Sequence, residues 1–290
     1  RRPADRVEKA VLTAEEAAEI EARAVQSAID ADRPSEVRTE PLPVGAPVGG
    51  YNNFWFDRGA GVVDDNRTSL IVSPENGRVP PLQPALTMVE LSLGEDLPGT
   101  RPVRVRAAGI GADSWEDRGL AERCLLGFNS GPPVVPAGYN QNLQIFQTPD
   151  HVVILHEMVH DARVVPLDGR PHLPEGVRQW MGDSRGYWDG DTLVVESRNY
   201  TDKTASFSPS VTMAAGEGTT LSLTERFTRV AEDTLLYEFT VDDATTFTAP
   251  ITAQIPMKRG EAMFEYACHE GNYGLPNILA GARQAENAAR

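Results

Sequence analysis

A run of short alternating segments between Leu143 and Tyr273 constrains the fold of this chain most strongly. Apolar residues recur there at every second position, for example in 235–241 and 251–257, which is the period of a strand with one buried face. Turn sequences separate about eight or nine such segments, each about five to nine residues long. Because an open meander of this length would expose its edges, the pattern predicts a mainly β fold: an antiparallel meander closing into a calycin- or lipocalin-like barrel.

Two hairpins are predicted within this region, because short turn sequences join neighbouring alternating segments. They are Leu221–Val230 with Thr234–Val241, and Ile251–Met257 with a last strand, Ala262–His269.

Residues 1–50 differ from the rest of the chain. Ala14–Ala31 is rich in Ala and Glu, and Thr13 followed by two glutamates is typical of a helix start. We therefore predict an N-terminal helix and a Pro-rich linker over 1–50, and a single β-barrel domain with long N-terminal loops over 51–290. Within those loops, Tyr51–Asp57 and Thr68–Val72 are further strand candidates.

Composition excludes several classes of partner and cofactor. The formal net charge of -15 disfavours nucleic acids and anionic membrane surfaces. The sequence has no apolar run long enough to span a membrane. It also lacks a glycine-rich phosphate loop, a G-x-S-x-G elbow and a C-x-x-C pair. We therefore expect a small-molecule substrate and no cofactor, while a homo-oligomer is left open.

The motif with the most specific match to a known pattern is His156-Glu157-Met158-Val159-His160. It matches the helix on which two histidines hold zinc and a glutamate acts as base, so a zinc hydrolase is one alternative. The β-branched residues on both sides favour a strand instead. On a strand the two histidines would lie about 13 Å apart, too far to share a metal, so no metal is expected. They would then share one face, opposite Glu157, Asp161 and Arg163.

Polar clusters supply the other candidate site residues. The end of the predicted last strand, 265–273, would meet a ligand at a barrel mouth, with His269 pointing inward. The segment 178–188 suits an aromatic or carboxylate ligand, and 139–142 precedes the first barrel strand. The alternative to a functional role is a structural one for these side chains, for example a hydrogen-bonded histidine in the core or an arginine stacked on a tryptophan. The catalytic candidates are His269, His156, His160, Glu157 and Asp161; the substrate-binding candidates are Tyr139, Asn142, Arg163, Trp180, Arg185, Tyr266 and Tyr273.

The chain resembles a large, mostly uncharacterised family of bacterial β-barrel-like proteins, many of them exported. The resemblance covers roughly 51–283 and lies in the stretches that begin at Arg67, Glu157, Arg178, Trp188, Glu225 and Tyr266. The chain is also similar to the phenylcoumaran γ-formaldehyde lyases, which act on lignin-derived aromatic dimers.

The resemblance implies a periplasmic or exported protein, with a cytoplasmic one as the alternative. Composition alone leaves Cys124 and Cys268 open between a disulfide and two buried thiols. Export favours the disulfide.

These observations together predict a cofactor-independent lyase. It would act by acid/base chemistry on a small aromatic substrate, such as a lignin-derived dimer that releases formaldehyde. The first alternative is a periplasmic barrel that binds a small molecule without catalysis.

Overall fold

The computed structural model of the protein describes residues 1–31, 40, 56, 59, 61–90, 105–106, 109–260 and 262–290. Two helices and several antiparallel sheets make up its regular structure, so the prediction of a mainly β chain is confirmed. The helices are α1 (Ala14–Ala31) and α2 (Gly274–Ala288). The strands are β1 (Ile71–Ser73), β2 (Val89–Glu90), β3 (Leu143–Gln147), β4 (His151–His156), β5 (Ala162–Pro166), β6 (Asp183–Asp189), β7 (Thr192–Arg198), β8 (Phe207–Ser210), β9 (Met213–Ala215), β10 (Ser222–Arg229), β11 (Thr234–Asp242) and β12 (Ile251–Lys258).

The strands form three antiparallel sheets. The largest has six strands in the order β1-β12-β11-β10-β7-β6, and the smaller ones are β2-β9-β8 and β3-β4-β5. Across the described residues, backbone hydrogen bonds do not join these sheets into a closed barrel. The predicted hairpin between residues 221–230 and 234–241 is confirmed, since β10 and β11 pair in register from Ser222↔Asp242 to Arg229↔Leu235.

Alternation along the strands of the large sheet builds the core. Tyr237, Phe239 and Val241 of β11 are buried, and the residues between them are only partly buried. Neighbouring strands add Leu223 and Ile251 to the same face. Val152, Ile154 and Val165 of the β3-β4-β5 sheet belong to this core as well, so the two sheets pack face to face.

A buried ion pair crosses that core. Arg163 of β5 donates two hydrogen bonds to Glu225 of β10, at 2.5 and 3.0 Å. Glu225 also accepts a hydrogen bond from the Tyr237 hydroxyl at 2.7 Å, and that hydroxyl accepts one from the Val134 backbone N–H at 3.0 Å. Since Arg163 and Glu225 are 4% and 0% exposed, the pair fixes the two sheets relative to each other with almost no solvent screening.

The N-terminal helix has the predicted bounds, Ala14–Ala31. Thr13 and Glu16 form a reciprocal capping box: the Thr13 Oγ1 accepts from the Glu16 N–H, and the Glu16 carboxylate accepts from the Thr13 N–H. Leu12 and Ala17 are buried where the helix begins, and Leu12 N–H donates to the Asn66 carbonyl. The linker over 32–50 lies outside the described residues except for position 40, as does the strand candidate at 51–57 except for Phe56.

The prediction of a last strand over Ala262–His269 is wrong. Residues 262–267 form no regular structure, 268–271 form a turn, and α2 follows. β11 pairs with one side of β12 along its whole length, and β1 pairs with the other side at Thr252 and Ala253. His269 is exposed in the turn instead of pointing inward.

A disulfide holds this C-terminal segment in place. Cys124 and Cys268 are bonded, with their Cα atoms 5.9 Å apart, so the predicted pairing is confirmed. Asn272 adds a hydrogen bond from its side-chain amide to the Glu122 carbonyl at 2.7 Å. Neither helix is long and apolar enough to cross a membrane within the part of the chain that the structure describes.

The buried ion pair gives a stability prediction. Glu225→Gln keeps the side-chain shape but leaves the Arg163 charge buried without a carboxylate, so the free energy of unfolding should fall by about 3–5 kcal/mol. The double variant Arg163→Met/Glu225→Leu should lose less than Glu225→Gln alone, because it buries no charge. Denaturant titrations measure both, with Asp189→Asn in the exposed Arg226–Asp189 pair as a control of little effect. Wild-type stability in Glu225→Gln would contradict the prediction.

Candidate functional site

A cavity of about 550 Å³ lies against the buried face of the six-stranded sheet. Side chains of β1, β8, β11 and β12 form one wall, and the segment 135–139 forms another. The aromatic residues that line it are Phe56, Phe128, Tyr139, Phe207 and Phe239. Among the described lining residues Arg1 alone carries a charge. The volume and the apolar walls are those of a small-molecule site.

Tyr139 is the sequence-predicted binding residue that lines this cavity. Its ring makes edge contacts with Phe56 and Phe128, at centroid distances of 5.5 and 5.9 Å. Tyr139 and Phe128 also pack on their other side against the buried pair Met158 and Val159. The two rings therefore separate the cavity from the segment that carries most of the predicted catalytic residues.

The motif His156–His160 is neither the predicted strand nor a zinc-binding helix. β4 ends at His156, a single 3₁₀ turn covers Met158–His160, and β5 runs back antiparallel to β4. Val159 and His160 have φ values of 62° and 45°, which break both strand and helix geometry. The predicted shared face of His156 and His160 is therefore wrong: His156 is buried, whereas His160 is exposed.

This turn does not form the zinc site that the hydrolase alternative requires. His156 is 3% exposed, and burial, reinforced by the charges of Arg163 and Arg106, lowers its pKa to about 3. Glu157 is engaged by Asn142, whose side-chain amide donates to the Glu157 carboxylate at 2.9 Å. No group of three or more His, Cys, Asp or Glu side chains is placed to hold a metal ion anywhere in the described residues.

Asp161 is the centre of a polar cluster at the surface beside the disulfide. Its Oδ2 is buried and has no hydrogen-bond partner among the described residues. Burial raises the pKa of Asp161 to about 6, while the positive charges of His160, Arg106 and His269 act in the opposite direction. The His160 Nδ1 lies 3.0 Å from the Tyr266 carbonyl, so this nitrogen donates and Nε2 is left as the basic atom. The cluster unites three sequence-predicted catalytic residues: Asp161, His160 and His269.

The remaining predicted site residues lie elsewhere. Arg163 belongs to the buried ion pair with Glu225. Arg185 donates to Asp183 at 2.6 Å, and that carboxylate also accepts from the Leu173 N–H at 2.8 Å. Trp180 is half-buried in a turn, and Tyr273 is 73% exposed just before α2. None of these side chains lines the large cavity.

The sequence reasoning missed Arg106 and most of the aromatic cavity wall. Arg106 donates to the backbone carbonyl of the cavity-lining Phe128 and acts electrostatically on Asp161 and His156. The alternation of Val and Arg over residues 103–106 is the signal that could have revealed a half-buried cation there.

Comparisons of the chain with protein-family models, with curated proteins and with solved structures find no match.

The Asp161 environment predicts a pH-dependent stability. Because the pKa of about 6 in the folded state exceeds the ordinary 3.8, stability falls as pH rises from about 4 to about 6. Asp161→Asn should therefore raise the thermal unfolding midpoint by roughly one to a few degrees near pH 7, and change it little near pH 4. Asp168→Asn is the control: hydrogen bonds from Arg170 hold that pKa at about 2, so no gain is expected. Equal midpoints for Asp161→Asn and wild type near neutrality would contradict the prediction.

Proposed function

We propose that the protein binds a small aromatic or otherwise apolar molecule in the 550 Å³ cavity. The observation that supports this proposal is the lining, which is apolar except for Arg1, the Tyr139 hydroxyl and Ser210. Burial of an apolar molecule against such walls supplies roughly 25 cal/mol per Å² of contact area. The five aromatic rings of the lining favour a planar ligand, because ring pairs add stabilisation beyond their buried area.

A lipocalin-like closure of the β-structure belongs to the same proposal. It is supported by the close approach of β5 and β6, the neighbouring edges of two sheets. A Cβ at Gly186 of β6 would lie 2.8 Å from the Val165 Cγ1 of β5. Glycine at this position therefore permits the two edge strands to pack closely without backbone hydrogen bonds between them. In the proposed closure, the β3-β4-β5 sheet continues the wall formed by the six-stranded sheet.

Export from the cytoplasm also belongs to the proposal. The Cys124–Cys268 bond links positions 144 residues apart, and disulfides of this kind persist in oxidising compartments such as the periplasm.

Cavity binding is tested by filling the cavity. Ala253 is 3% exposed and lines it, so Ala253→Phe should lower the affinity for biphenylmethanol at least about tenfold. Val230→Phe adds the same ring at a position that is 56% exposed, and it should bind like wild type. Calorimetric titration measures the affinities, and melting curves establish that both variants are folded. Unchanged binding in a folded Ala253→Phe protein would place the ligand elsewhere.

A cofactor-independent lyase is the second candidate, favoured by the Asp161 cluster. A carboxyl group with a pKa near 6 can both take and return a proton near neutrality. Loss of a hydroxymethyl group as formaldehyde needs such a base for the hydroxyl proton. The electrons of the broken C–C bond pass to the aromatic partner, which a proton or a cation must then stabilise. In this proposal His269, whose charge acts on Asp161, serves as that proton donor.

The lyase candidate predicts a specific loss of turnover. His269→Ala should keep the fold, because the side chain is exposed, and should lower formaldehyde release from a phenylcoumaran-type dimer by about 10²-fold. His151→Ala, which removes an imidazole paired with the exposed Asp150, should release formaldehyde at the wild-type rate. If wild type shows no turnover, or if His269→Ala keeps the full rate, His269 does not act as the proton donor of such a reaction.

A further inference from the structure

Arg106 lies beside the wall of the large cavity. Its Nη1 donates to the backbone carbonyls of Gly127 and Phe128, at 3.1 and 3.4 Å, and Phe128 is one of the cavity-lining residues. Gly131 permits this approach, because a Cβ there would lie 2.7 Å from the Arg106 Nη2. The guanidinium group therefore packs against the 127–131 segment instead of extending into solvent.

No carboxylate within ion-pair distance neutralises Arg106 among the described residues. The one carboxylate whose field acts on it is Asp161, and burial nevertheless lowers the pKa of Arg106 to about 10. Both of these hydrogen bonds come from Nη1. Nη2 and Nε carry further N–H donors, for which the described residues show no hydrogen-bond acceptor. A half-buried cation without a counter-ion costs free energy that a bound anion would offset.

The neighbouring space is small and partly polar. A second cavity, of about 20 Å³, is lined by Arg106, by the hydroxyl-bearing residues Thr204, Ser206 and Ser208, and by apolar residues that include Leu120, Leu126 and Pro133. It shares Val135 and Phe207 with the large cavity, so the two adjoin at these side chains. A space of this size holds about one water-sized group. The two cavities together are thus amphipathic: the large compartment is apolar except for Arg1, the Tyr139 hydroxyl and Ser210, and Arg106 lines the small one.

We propose that the ligand of the large cavity is an apolar carboxylate whose carboxylate group binds Arg106, an inference that rests on the proposed binding function. The planar carboxylate matches the fork of a guanidinium group, and the small compartment has room for about one of its oxygens. The aromatic or aliphatic body of the ligand then fills the large compartment.

A matched pair of ligands tests this proposal. Biphenylcarboxylate and biphenylmethanol share a skeleton and differ in charge, so the ratio of their affinities isolates the anion. We expect wild type to bind the carboxylate at least about tenfold more tightly near neutral pH. Arg106→Gln should abolish the preference and leave the alcohol affinity unchanged. Arg259→Gln, at an exposed arginine, makes the same change in net charge and should keep the preference.

The outcomes distinguish failure of the carboxylate proposal from failure of the proposed apolar-ligand binding. Equal affinities for the two ligands in wild type would overturn the carboxylate proposal and leave apolar binding intact. Failure of both ligands to bind would overturn both. If Arg106→Gln does not fold, Gly131→Ala is the second variant, because its methyl group would displace the guanidinium; an undiminished preference there would also refute a role for Arg106.

Discussion

The buried Arg163–Glu225 ion pair is the interaction on which the rest of the structure depends. It joins β5 to β10 across the core, and Tyr237 extends it to the Val134 backbone N–H. Val135, the next residue, lines both cavities. A two-sheet core held by apolar contacts alone could slide by small amounts, whereas a bidentate pair allows one arrangement. The position of the cavity wall therefore follows from a charge pair in the centre of the core.

The C-terminal segment determines the chemistry of the surface around Asp161. The disulfide and the Asn272–Glu122 hydrogen bond hold residues 268–272 against the 122–124 segment. Tyr266 and Cys268 then cover Met158 and Val159, and they place His269 within electrostatic range of Asp161. Burial raises the pKa of Asp161 to about 6, and the His269 charge that this segment brings near acts in the opposite direction.

Local patterns predicted much of this fold, and long-range pairing explains most of the errors. The alternation in β10, β11 and β12 and the Thr13 capping box are local signals, and the corresponding elements formed as expected. No strand forms over 262–269; on that side of β12, a strand from a distant part of the chain, β1, pairs with Thr252 and Ala253 instead. The helix α2 was not predicted, although residues 274–288 carry a local helix signal. Pro276 lies in the first turn, where proline is tolerated. The cavity could not be predicted, since its wall combines residues from the whole length of the chain.

The rings of Tyr139 and Phe128 form a partition between the cavity and the Asp161 cluster. This partition favours ligand binding over lyase activity as the function of the cavity. Tyr139 and Phe128 contact each other edge to face, and both pack against Met158 and Val159. The partition is tight, because a Cβ at Gly127 would lie 2.1 Å from the Met158 Cγ. Binding in the cavity requires no change in this arrangement. Proton transfer from Asp161 to a cavity ligand requires these rings to move, at a cost in packing. Arg106 is different, since it donates to the backbone carbonyl of the cavity-lining Phe128. The proposed binding of an anionic ligand to Arg106 therefore requires no movement of these rings.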